Sequence, residues 1–287
     1  MRPVVDPDFE EQRPTLQRLA YRMLGSLTDA DDVLQEAYLR WSRDERGNVE
    51  HPRAYLSALV TRLCIDRRRT IDARKETYIG PWLPEPIVEK AAPEAQLEAA
   101  EAVSLALLVV LESLSPTERA AYLLRQVFDY EYAEIARILG QSEANCRQLV
   151  SRAEKRIAER RPRFESTPEE TSQITEAFLH SCVTGDLAGL TQLLATDAIM
   201  YSDGGGKVLA ARAPVYGADR VARFFIGLMK KAPPGLEFRR VSVNGGPGLM
   251  VVHAGEILHV LTLDIFDGKI AHCYIIRNPD KLPRLES

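Results

Sequence analysis

Cysteine is scarce and scattered in this 287-residue chain: Cys64, Cys146, Cys182 and Cys273 stand far apart and form no CxxC pair. That argues against a disulfide framework or a zinc site and leaves four buried, reduced thiols as the expectation. Long apolar runs are also missing. The longest, Val103 to Leu111, contains Ser104 and is about half of what a membrane span needs. The opening residues MRPVVDPDFEEQRP lack the apolar core of a signal peptide, so a cytoplasmic protein with no membrane partner is expected. The phosphate-loop pattern GxxxxGK[ST] is absent, which removes the simplest nucleotide site, and no metal or cofactor is expected. No internal repeat is visible. Nor is there a large excess of one charge: the formal net charge is −4, so a surface uniformly coated in cations is excluded.

What is present is ordinary in bulk and uneven in detail. Hydrophobic residues make up 45% and charged residues 27%, enough to build real cores, and the length suggests two or three compact units. Charge gathers in two islands. Gly140 to Arg163 holds seven Lys/Arg against three Glu, and Arg62 to Lys75 holds six against two Asp. An acidic chain with two basic islands can touch nucleic acid locally while repelling it elsewhere.

Helical periodicity runs to about Lys75. Leu16, Leu19, Ala20 and Met23 share a face, and Thr28-Asp29-Ala30-Asp31 resembles a capping box that opens a second helix. There Ala30, Val33, Leu34, Ala37 and Trp41 face inward, whereas Asp32, Gln35, Glu36 and Leu39 face outward. A third helix is expected from about Pro52 to Arg69. Three prolines and a glycine between Ile79 and Pro86 then exclude helix, and the apolar Trp82 and Leu83 suggest that this linker docks onto something. Helix returns from about Pro93 to Ser113. Ser115-Pro116-Thr117-Glu118 starts a further helix, Gly140 ends the next, and Ser142 caps the one after. Beyond Arg163 the pattern changes to helices at Thr171–Val183, Leu187–Ala195 and Ala218–Lys230, with strands expected at Ile199–Tyr201, Val208–Ala210, Leu236–Val243, Leu249–His253, Ile257–Phe266 and Ile270–Ile276. Asp267-Gly268 signals a hairpin. This second half is α+β.

Tyr132 to Arg152 has the size and punctuation of a helix-turn-helix. With Cys146, Leu149, Val150, Ala153 and Ile157 buried, the second helix turns Ala144, Gln148, Ser151, Arg152 and Lys155 outward, with Asn145 and Arg147 on its flanks. Amides and guanidinium suit base edges, and Lys and Ser suit phosphates. An ordinary surface helix of a bundle is the bland alternative.

The Ser115-Pro116-Thr117-Glu118-Arg119 start followed by this motif resembles region 4 of the extracytoplasmic-function (ECF) sigma factors, which reads the −35 promoter element. Asp29-Ala30-Asp31-Asp32-Val33-Leu34-Gln35-Glu36-Ala37-Tyr38 resembles their region 2.2. The resemblance implies that Asp31, Asp32, Gln35, Glu36 and Leu39 grip the β′ clamp helices of core RNA polymerase; a solvated acidic face is the alternative. His51 to Arg69 then corresponds to the helix that captures and lines the melted −10 strand, with Thr61, Arg62, Asp66, Arg67 and Arg68 as candidates. The Arg67-Arg68-Arg69 run could instead solvate a helix end.

The tail resembles a SnoaL-like cone, and three short motifs match the ECF subgroup that carries one: Trp82-Leu83-Pro84-Glu85-Pro86, Asp203-Gly204-Gly205-Gly206-Lys207 and Asn278-Pro279-Asp280-Lys281-Leu282. The fold class implied is multidomain: two all-α sigma domains, regions 2 and 4, followed by an α+β SnoaL-like cone. Residues 1–75 would form region 2, 76–98 the linker, 99–165 region 4 and 166–287 the tail. The tail would act in cis, without a separate anti-sigma protein, through Trp82, Leu83, Pro84, Asp203, Lys207, Asn278, Asp280 and Lys281. The triple glycine reads either as a turn or contact, or as a ligand loop. SnoaL-like relatives include enzymes, and Asp203, His253, His259, Asp264 and His272 are the groups available for a reaction or for a small ligand. No pair among them has a spacing that forces acid/base chemistry, so no catalytic residue is assigned. A repressor or activator acting alone on duplex DNA is the third reading, and it would need neither the region 2.2 surface nor the −10 helix.

Overall fold

Helices in the front half begin and end where local chemistry directs. In the computed structural model, which describes residues 6–43, 51–90, 103–160 and 167–283, α1 (Pro7–Leu24) starts on Asp6. The Asp6 carboxylate accepts from the N–H groups of Asp8 (3.0 Å) and Phe9 (3.3 Å), satisfying donors that a helix start leaves unpaired. The helix ends at Gly25, whose φ of +70° is cheap only for glycine. α2 (Leu27–Arg43) is capped by Ser26, whose Oγ accepts from the Asp29 N–H at 3.2 Å. The expected start at Thr28 is thus corrected, because the serine directly after Gly25 takes the cap first. α3 (Pro52–Lys75) runs past the expected end at Arg69; Arg68 and Lys75 find carboxylate partners there. Then come α4 (Leu105–Leu111), α5 (Pro116–Gln126), α6 (Tyr132–Leu139) and α7 (Glu143–Arg160). The beginning of the helix expected from Pro93, the end of the linker and the 165/166 boundary lie outside the described residues.

The chain divides into two compact units, the first built from residues up to Thr77 together with Val110 to Arg161. In it Phe9, Leu16, Leu19, Met23, Val33, Leu34, Trp41, Leu56 and Val60 are buried between α1, α2 and α3, and Leu123, Leu124, Ile135, Leu149, Val150 and Ile157 between α5, α6 and α7. Each such side chain contributes about 1.5–3 kcal/mol of apolar burial.

The second unit takes Tyr78 to Val109 and Pro162 to Ser287. After α8 (Pro168–Thr184) and α9 (Leu187–Leu193) comes a seven-stranded sheet. Its strands are β1 (Val88–Lys90), β2 (Leu194–Asp203), β3 (Val215–Tyr216), β4 (Glu237–Val243), β5 (Gly246–His253), β6 (Glu256–Phe266) and β7 (Lys269–Ile276). The order is β1-β4-β5-β6-β7-β2-β3, with β2 and β7 parallel and every other pair antiparallel. Helix α10 (Ala218–Lys230) joins α8 and α9 on one face, where Phe178, Leu190, Val221 and Phe225 meet Leu249, Leu261, Leu263 and Ile275. The opposite face buries Val241, Val243, Met250, Val252 and Val260 against Val88 and Leu282. The α+β architecture expected for the tail is observed.

Two strand assignments differ. Val208–Ala210 is not a strand: the turn through Gly204–Lys207, closed by the Lys207 N–H on the Gly204 carbonyl at 3.0 Å, diverts the chain, and Leu209 is 88% exposed. In its place β3 pairs with β2 at Ile199↔Tyr216 and Met200↔Val215. The proline-rich linker supplies β1, which pairs with β4 at Val88↔Val243, an edge position that tolerates the prolines before it. The Asp267-Gly268 hairpin has φ +49° and +68°, the paired positive values of a type I′ turn.

Candidate functional site

Helix α7 owes its position to the turn before it. Gly140 closes α6 with φ +64°, and Ser142 Oγ accepts from the Asn145 N–H at 3.2 Å. Cys146, Leu149, Val150, Ala153 and Ile157 are buried, leaving Ala144, Arg147, Gln148, Ser151, Arg152 and Lys155 exposed and Asn145 half-buried. Asn145 donates to the Gln141 side chain at 2.8 Å. Arg147 pairs with Glu143 at 3.0 Å and stacks over the Tyr132 ring at 4.4 Å. Arg152 and Arg156 both meet the Glu118 carboxylate, at 3.1 and 2.8 Å. Burial alone would raise the Glu118 pKa, but bonds from Ser115 and the two arginines bring it below the usual range.

On α2, Asp31, Asp32, Gln35 and Glu36 are exposed around Leu39, which is 46% exposed. An apolar side chain ringed by acids on an accessible helix face has the make-up of a protein-binding patch.

The α3 candidates divide. Asp66 is exposed and pairs with Arg69 at 2.9 Å. Arg67 leans across to α2, bonding Asp29 at 2.7 Å and Asp32 at 2.9 Å, and the Asp29 bond holds its guanidinium above the ordinary range. Arg62 donates to the carbonyl of Ile138 at 3.2 Å. Thr61 and Arg68 are 0% and 2% exposed, so both are enclosed in this arrangement. Arg69, outside the candidates, is 66% exposed at its side chain.

A second cluster forms in the tail's unit around Asp203, at the end of β2 and 0% exposed. Its carboxylate accepts from the Tyr78 hydroxyl (2.6 Å), the Leu83 N–H (2.9 Å), the Gly205 N–H (3.0 Å) and the Lys281 ammonium (2.8 Å). Lys281 also donates to the Leu83 carbonyl at 2.6 Å and sits 4.1 Å over the Trp82 ring. Asn278 donates to the Tyr78 hydroxyl at 3.0 Å, and Lys207 bonds Asp280 at 2.7 Å. Pro84 is buried beside Leu83. All three short motifs therefore meet here, and the triple glycine acts as a contact turn: a Cβ on Gly205 would lie 2.5 Å from the Asn278 amide. Burial, reinforced by Asp203, pushes the Tyr78 hydroxyl well above its usual pKa. Tyr78 and Asn244 also join these contacts, and neither carries a sequence motif that marks it. The latter, in an Asn-Gly turn, accepts from the Ile87 N–H at 3.1 Å and anchors the linker.

Among the remaining candidates of the tail, His259 stands apart from the Asp264–His272 pair. Asp264 and His272 are cross-strand partners, Oδ2 to Nδ1 3.1 Å. His259 alternates with them, in phase with Leu261 and Leu263, so it occupies the other sheet face. Burial, with Arg277 adding to it, lowers the His259 pKa to about 4. Among the described residues no three His, Cys, Asp or Glu gather as metal ligands, and no helix is long and apolar enough to cross a membrane. The four cysteines are buried and free, with Cys182 and Cys273 in the same core cluster.

Comparison with known proteins returns family matches to Sigma-70 region 2 over residues 9–74 and Sigma-70, region 4 over residues 104–157. The ECF RNA polymerase sigma factor SigJ of Mycobacterium tuberculosis is 36% identical, with 96% of this chain and 92% of that protein covered. The ferric citrate uptake sigma factor FecI of Escherichia coli is 31% identical over 46% of this chain and 76% of its own length. The crystal structure of M. tuberculosis SigJ superposes with a TM-score of 0.76 at 34% identity, covering 96% of both chains.

Proposed function

Because the chain belongs to the extracytoplasmic-function RNA polymerase sigma factors, we propose a division of labour among its surfaces. The α2 patch around Leu39 docks on the core polymerase clamp, α3 lines the melted −10 strand, and α7 reads the −35 element. The tail then controls these activities in cis through the linker, and no separate anti-sigma protein is needed for that control.

The observation that carries the in-cis reading is the Asp203 junction. One buried carboxylate binds two linker residues, Tyr78 and Leu83, and one residue near the C-terminus, Lys281. A buried charge whose partners lie on different segments makes seating cooperative, since loss of one partner leaves the others uncompensated at a cost of roughly 3–5 kcal/mol. The linker is then either seated or released, with few intermediate states.

Asp203→Asn keeps the shape and removes the charge. The expected result is a shift in Trp82 emission as the linker leaves, with initiation by core polymerase on the protein's own promoter changed several-fold and affinity for core unaltered. A Trp82 shift with unchanged initiation would end the in-cis reading and leave the family assignment standing.

A further inference from the structure

The α3 surface assigned above to the melted strand already has an occupant within the first unit. Thr61 is buried. Arg62 donates to the carbonyls of Ile138 (3.2 Å) and Arg137 (3.5 Å), in the last turn of α6, where unpaired carbonyls and the negative end of the helix dipole favour a cation. Ser57 Oγ lies 2.6 Å from the Tyr130 hydroxyl. The first helix of the helix-turn-helix therefore rests on the face that the strand would use.

Farther along α3 a denser contact repeats the theme. Glu112, in the turn between α4 and α5, accepts from Arg68 at 2.9 Å and from Arg119 at 2.8 Å, and pairs with Lys75. Arg68 also holds Asp72 at 2.9 Å. Arg119, which is 0% exposed, donates its Nε–H to the Arg22 carbonyl of α1 at 2.9 Å. Burial alone would raise the Glu112 pKa, yet Arg119, Arg68 and Lys75 hold it well below the carboxylate range. Burial in turn brings Lys75 down to about 8. Removing one member of such a cluster costs far more than a surface pair would, so the contact has the make-up of a latch.

Size gives an independent reason for this latch to open. The −10 and −35 elements are nominally about 25 base pairs apart, on the order of 85 Å at ~3.4 Å per base pair. A compact unit of roughly 130 residues is on the order of 36 Å across. One closed unit cannot reach both.

We infer that the strand-facing surface of α3 has two mutually exclusive occupants, region 4 of the same chain and melted promoter DNA, and that Glu112 latches the first in place. The inference rests on the reading of α3 as the strand-contacting helix. It is tested in the full chain with Glu112→Gln, a site outside every surface assigned to DNA or polymerase.

Anisotropy of a fluorescein-labelled, mixed-sequence single-stranded DNA of ~20 nucleotides at low salt should show binding about tenfold tighter or more, because a masked site binds in proportion to its unmasked fraction. Hydrogen exchange should quicken in α6 and around Thr61. Tyr130→Phe, which removes only the bond to Ser57, should move both readouts the same way by less, and it serves if the first variant fails to fold. Unchanged exchange in both variants overturns the latch. Tighter binding without faster exchange overturns it too, since the lost negative charge alone would then explain the gain. Faster exchange without tighter binding overturns instead the assignment of α3.

Discussion

A guanidinium that reads DNA has to be held out from the surface, and holding it costs rotamer freedom. Glu118 limits the rotamers of Arg152, the proposed −35 reader, while serving as the capping-box residue: it accepts from the Ser115 N–H at 3.1 Å and from Arg152 at 3.1 Å. The capping role was legible because a Ser-x-x-Glu spacing is local chemistry. The second role was not, since Arg152 lies 34 positions away in sequence. Replacing Arg152 with Ala should weaken binding to duplexes bearing the −35 element of its own promoter by about 1–3 kcal/mol. Core polymerase binding should stay intact. Parallel anisotropy and core-capture assays check both, and loss of core binding would show that α7 serves the wrong partner.

Elements followed the same rule of range. Helix boundaries at Ser115, Gly140 and Ser142 matched because caps depend on three or four neighbouring residues. Val208–Ala210 reads as a strand by alternation, yet its course is decided by Gly204, where a Cβ would meet the Val208 carbonyl at 2.6 Å. Strand β1 was hidden because prolines 81, 84 and 86 argue for a plain connector, and only the edge of β4 makes Val88–Lys90 a strand. The glycine turn has a direct test. Gly205→Ala places a methyl group on the Asn278 amide at a residue with φ +63°, a combined backbone and steric cost of about 1–3 kcal/mol. The variant should melt earlier and show easier proteolysis of the linker near Trp82. A melting curve that superposes on wild type would mean that the turn yields freely.

At the scale of the molecule, periodicity and caps do not pair individual distant residues: Glu112 and Arg68 are 44 residues apart, Tyr78 and Asn278 200. Unfolding of a two-unit chain need not be two-state, and the units should differ in acid sensitivity. His259 titrates near 4 when folded against about 6.5 when unfolded. Between those values only the unfolded chain takes up the proton. This group's stabilisation of the second unit is therefore complete above about pH 6.5 and falls toward pH 4, by at most about 1.4 kcal/mol per pH unit. Calorimetry at pH 7 and 5 should show the second unit's transition moving down on acidification and moving less in His259→Gln. Equal movement in both proteins would assign the effect elsewhere. Strand β1 also bears on how the protein can be taken apart. A sheet edge stripped of its neighbour presents unpaired N–H and C=O groups to any passing chain, and β1 is that neighbour for β4. An expressible tail module is therefore expected to need the chain from Tyr78, ahead of the helix-turn-helix that it follows in sequence. A recombination event or an expression boundary placed after region 4 would produce a sticky fragment on one side and a stranded, water-facing Leu83 on the other.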